Sequence, residues 1–164
     1  MDGNPKLARI RSLLKDLPGE AGNGGQMYAW VDPGDADSMP GHVWGLIAGA
    51  MRSCCPGLIP AGAGVSDAVH KPPLAEVDEA AATELLSWLL STGLVYAGQG
   101  KYARSRARDL STALARLLGS GTHWWTNISA PGSGWYPATH HTFDALVVGV
   151  SDGVIVTILV WDED

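Results

Sequence analysis

The chain has 164 residues, is 46% apolar and carries a formal net charge of −6. That length favours one domain with a sizeable core. The negative balance argues against generic nucleic-acid binding, which neutralises phosphates with Lys and Arg.

Pro5 to Leu17 reads as a helix, with Asn4 and Pro5 as its start signal and Leu7, Ile10, Leu14 and Leu17 on one stripe. Pro18-Gly19 stops it, and Glu20 to Gln26 reads as a Gly-rich loop. Met27 to Val31 is a short strand ended by the turn Asp32-Pro33-Gly34. Asp37 or Ser38 can cap a helix from Pro40 to about Arg52, with Val43, Ile47, Ala50 and Met51 inward. Pro56 to Pro73 has little periodicity and reads as a long ordered loop.

Glu76 to Thr92 reads as a helix with an acidic first turn, suited to the positive end of the helix dipole. Its stripe is Val77, Ala81, Leu85, Trp88 and Leu89, and Gly93 is its stop. Leu94 to Ala97 can form a short strand. Ser105 to Leu118 reads as a further helix capped by Ser105, with Ala107, Leu110, Leu114 and Leu117 inward. His123 to Ser129 is a strand, and Ala130 to His141 a loop.

The last stretch organises the rest. Thr142–Val150 and Val154–Trp161 flank Asp152-Gly153, which supplies the positive φ of a two-residue hairpin turn. Ser151 should then pair with Val154, Leu146 with Leu159 and Asp144 with Trp161. Phe143, Ala145, Val147, Val156, Ile158 and Val160 share one face. The other face is apolar too, interrupted by Asp144 and Thr157. Strands apolar on both sides are covered on both sides. The expected architecture is α+β: a mainly antiparallel sheet with this C-terminal hairpin packed against three to four helices.

Functional residue types are densest between Trp135 and Asp144. His140 or His141 can act as acid or base with Asp144 as the carboxylate that orients it. The spacing His140-x-Thr142-Phe143 resembles one half of the His-x-Thr-apolar motif of the two-histidine phosphoesterases, which need two copies facing each other. No second copy is present, since His123-Trp-Trp-Thr126 has a different spacing. Lys101, Arg104, Arg106 and Arg108 surround the start of the Ser105 helix, and Arg104, Arg106 and Arg108 can clamp an anion. Asp32, Asp35 and Asp37 imitate the start of a calcium loop but lack its glycine and its distal glutamate. No metal site or cofactor motif emerges.

Other features bear on location and partners. No apolar run is long enough to span a bilayer. Met1-Asp2-Gly3-Asn4-Pro5 lacks the basic-then-apolar pattern of a secretion signal. The only cysteines, Cys54 and Cys55, are adjacent and cannot make a disulfide framework, so the expected location is cytoplasmic. Seven tryptophans stand against a single phenylalanine. Trp is seldom wholly buried, and some of these should line a groove or an interface.

The profile leads to two expectations. The first is a non-enzymatic module that binds a protein partner, a basic one by charge. It would do so through Trp124, Trp125, Trp135, Tyr136 and the acidic tail Asp162, Glu163 and Asp164. In small size, acidity and surplus tryptophan it is similar to the small bacterial immunity proteins that neutralise toxins. The second is a small enzyme or binder of a phosphorylated or anionic molecule, built on His140, His141 and Asp144 with the arginines as clamp.

Overall fold

The computed structural model describes residues 3–21, 25–54, 74–92, 100–128, 137–139 and 143–162. In chain order the elements are α1 (Pro5–Leu14), β1 (Gly19–Glu20), β2 (Gln26–Pro33), α2 (Met39–Cys54) and β3 (Ala75–Val77). They continue with α3 (Glu79–Ser91), α4 (Arg104–Leu118), β4 (His123–Thr126), β5 (Phe143–Ser151) and β6 (Val154–Asp162). The strands form one antiparallel sheet in the order β1-β2-β6-β5-β4-β3. This is the α+β fold expected from the pattern of elements.

The C-terminal hairpin is the centre of that sheet. Asp152 (φ 48°) and Gly153 (φ 75°) form the turn, and both positive angles match the twist of the flanking strands. Ser151 pairs with Val154, Leu146 with Leu159 and Asp144 with Trp161. β2 docks on the open edge of β6, setting Tyr28 against Leu159 and Trp30 against Thr157. β4 docks on β5, setting Trp124 against Gly149 and Trp125 against Val148.

Alternation then divides the core into two layers. Ala145, Val147, Val156, Ile158 and Val160 face α1, α3 and α4, together with Ile10, Leu85, Leu89, Leu110 and Leu114. Leu146, Val148, Val150, Ile155, Leu159 and Trp161 face α2, which supplies Met39, Val43, Ile47 and Met51. Each Val, Leu, Ile or Met among them contributes about 1.5–3 kcal/mol when fully buried. Both faces of the hairpin are therefore covered, as their composition demands.

Local signals account for most boundaries. Asn4 caps α1 by accepting from Lys6 N, 3.0 Å away. That helix stops at Leu14, short of the expected Leu17, and a turn closed by Leu17 N–H donating to Leu14 O still buries Leu17. The helix expected from Glu76 begins at Glu79 instead. Asp78 is its cap, accepting from Ala81 N at 2.7 Å, and Ala75–Val77 is an edge strand on β4. Its buried stripe is Ala82, Leu85, Leu86, Leu89 and Leu90, whereas Ala81 is exposed. Ser105 does not cap α4. The cap position is Ala103, which has no capping side chain. The strand expected to reach Ser129 ends at Thr126. The expected strand at Leu94 to Ala97 and the loop at Pro56 to Pro73 lie outside the described residues, as does most of the loop at Ala130 to His141.

Candidate functional site

Asp144 lies on the α2 side of β5 with 1% of its surface exposed. Its carboxylate accepts five hydrogen bonds from four donors: Asn127 Nδ2 at 2.7 Å, Ala138 N at 3.1 Å to each oxygen, and Thr139 N and Thr139 Oγ1 at 2.9 Å. Asn127 Oδ1 in turn accepts from Leu146 N at 2.7 Å. Burial pushes the Asp144 carboxyl above its ordinary value of 3.8, against the pull of those donors, which favour the ionised form. The carboxylate thus ties residues 137–139 to β4 and β5, and its acceptor positions are taken up in doing so. His140 and His141, expected beside it, lie outside the described residues, as do Trp135, Tyr136, Glu163 and Asp164.

The remaining contact residues separate by strand alternation. Trp124 faces α3 and α4 and is 1% exposed, its ring set over Gly149. Asp162 is 4% exposed. Neither offers a surface to a partner. Trp125 points the other way and is half-buried beside the α2 layer, where it stacks with His123, ring centroids 6.0 Å apart. His123 Nδ1 is 2.9 Å from Glu76 Oε1 on the neighbouring strand. Tyr28, Trp30 and Trp44 are half-buried around the same layer. Tyr28 stacks on Trp30 at 5.3 Å and meets Trp161 at 4.6 Å.

The basic cluster near α4 also divides. Lys101 Nζ donates to Leu17 O at 2.8 Å, which fastens the turn that follows α1 and makes this lysine structural. Residues four apart share a helix face and residues two apart do not. Arg104 and Arg108 accordingly line one groove of about 490 Å³ between α3 and α4, and Arg106 is not in its wall. No described carboxylate is ion-paired with either arginine.

One pairing escaped the sequence. His42 Nε2 on α2 lies 3.0 Å from Asp32 Oδ2 at the end of β2, and Arg11 approaches the other carboxylate oxygen at 3.9 Å. Its only sequence signal is that Asp32 and His42 bracket a turn. Asp35, part of the acidic triplet, accepts from Ser38 N at 2.8 Å, and these bonds with Ser38 hold its carboxyl below the usual value. That triplet organises the turn before α2. Among the described residues no group of three or more His, Cys, Asp or Glu could hold a metal ion, and no helix is long and apolar enough to cross a membrane.

The fold and these sites define an α+β protein. Comparison with protein-family models, with curated proteins and with solved structures finds no match.

Proposed function

We propose that the protein is a non-enzymatic binding module that engages a basic protein partner through the α2 side of the sheet, in the manner of an inhibitor or immunity protein. The observation that carries this reading is the set of half-buried rings Tyr28, Trp30, Trp44 and Trp125 around one helix-covered layer. Partly exposed aromatic side chains are the residues that anchor interfaces. The net charge of −6 supports steering of a basic partner, and Glu76 is an exposed acid beside Trp125. Trp124 and Asp162 have no part in this surface because both are buried.

The test is affinity capture from the native cell with the intact chain, beside Trp125→Ala and Trp44→Ala. The reading expects one partner, retained at low salt, whose affinity falls by about 30-fold in a variant that removes an anchor worth about 2 kcal/mol. Recovery of the same proteins with all three baits would refute it.

A further inference from the structure

The groove between α3 and α4 lies on the opposite side of the sheet from the aromatic layer, and its chemistry is different. Tyr102 N–H donates to Leu90 O, which starts α4 beside the last turn of α3. Arg104, at the start of α4, therefore stands at the Ser91 end of the groove, and Arg108 lies one turn, about 6 Å, further along it. Both are exposed, and no described carboxylate neutralises them. Two guanidinium groups one helical turn apart can hold an anionic group through several charge-assisted hydrogen bonds.

The rest of the wall is hydroxylated. Thr83 Oγ1 donates to Glu79 O, Ser91 Oγ to Ser87 O and Ser111 Oγ to Ala107 O, each at 2.8 Å. These three protons are spent on the residues' own helices, so what these hydroxyls retain for a ligand is acceptor capacity, and Ser87, Thr92 and Thr112 line the same groove. A ligand matching these groups carries hydrogen-bond donors along its body. Trp88, half-buried in the same wall, offers a flat apolar surface to C–H groups or a ring. Glu84 also lines the groove, seven residues or about 10 Å along α3 from Ser91. Its carboxylate can accept a hydrogen bond from a ligand hydroxyl.

A volume of about 490 Å³ falls within the range of small-molecule sites. We propose that this groove binds a phosphorylated sugar, its phosphate held by Arg104 and Arg108 and its hydroxyl groups donating to the α3 side.

The test is titration calorimetry of the full chain with glucose 6-phosphate and ribose 5-phosphate, and with glucose and inorganic phosphate as separate arms. Saturable binding of a sugar phosphate, at least about tenfold tighter than inorganic phosphate or the parent sugar, is the expected result. Arg104→Gln/Arg108→Gln should lose at least about tenfold in that affinity with the thermal midpoint of the unliganded protein unchanged, since both side chains are exposed. Trp88→Phe should remove one indole signal from those that shift on titration in the NMR spectrum. No binding of either sugar phosphate at millimolar concentration overturns the proposal. So does inorganic phosphate binding as tightly as the sugar phosphates, or affinity that survives in the double variant.

Discussion

Replacing Asp144 with asparagine leaves its size and shape nearly unchanged and tests whether its carboxylate holds residues 137–139 in place. In the wild type one oxygen faces Asn127 Nδ2 and Ala138 N, and the other faces Ala138 N, Thr139 N and Thr139 Oγ1. An asparagine amide has one acceptor oxygen. With its NH2 toward Thr139, the hydroxyl can rotate to accept, but the Thr139 amide loses its partner and the Ala138 amide is half-satisfied. Turned the other way, the NH2 meets Asn127 Nδ2, and that side chain cannot turn over without releasing Leu146 N from Asn127 Oδ1. Either orientation strands one to two buried donors, each costing about 1–3 kcal/mol. Relief of the buried charge offsets part of this, so the expected loss is about 2 kcal/mol or more. With a urea slope of about 2 kcal/mol/M the unfolding midpoint should fall by about 1 M. A midpoint within about 0.2 M of the wild type would refute the reasoning. The pH dependence supplies a second reading. Because burial raises the folded pKa above the unfolded value of 3.8, the folded chain binds this proton more tightly. The stability that Asp144 gains from this proton is complete below 3.8 and is lost as pH rises through the raised folded pKa. Asp144→Asn should lack that decline.

Gly149→Ala should destabilise by about 1–3 kcal/mol in denaturant titration, because a Cβ there would stand 2.8 Å from Trp124 Cζ3 and 3.1 Å from Leu118 Cδ1. An unchanged midpoint would mean that the ring does not lie over this glycine. Thr157→Val should stabilise by about 1–2 kcal/mol, since Thr157 Oγ1 is buried with no hydrogen-bond partner among the described residues; a loss in thermal melts would show that the hydroxyl has one. Asp152 has its pKa lowered chiefly by the Lys6 hydrogen bond. Its contribution is present above the unfolded value of 3.8 and should be lost as pH falls through the folded pKa. Asp152→Asn keeps the left-handed turn accessible and should remove that acid dependence, as read by unfolding at several pH values.

Much of the architecture was legible because the hairpin carries its own register. Asp152-Gly153 is a turn with one good solution, and once it is set, alternation assigns every side chain from Phe143 to Trp161 to a layer. The error at Glu76 has a physical source. Glu76, Asp78 and Glu79 look like the acidic first turn of a helix, yet Asp78 caps better as the residue before it, which leaves Ala75–Val77 extended on β4. Alternation also separates the paired tryptophans, since Trp124 and Trp125 are adjacent in a strand and must face opposite layers. The arginine pair was readable in the same way from its spacing of four. The Asp144 cluster was not, because Asn127, Ala138 and Thr139 approach it from separate segments. The His42–Asp32 pair was hidden for the same reason.

The order of strands has a consequence for how the chain is made. β2 leaves the ribosome before α2, α3 and α4, yet its hydrogen-bonding partner along Gln26 to Pro33 is β6, which follows the other five described strands in chain order. β4 likewise waits for β5. Until residue 162 is released, the two halves of the sheet have no common strand to join them, and Tyr28 and Trp30 lack the β6 neighbours Leu159 and Thr157. Assembly is therefore a late event with long loops to close, which favours slow folding and a nascent chain that depends on protection of its aromatic segments during synthesis.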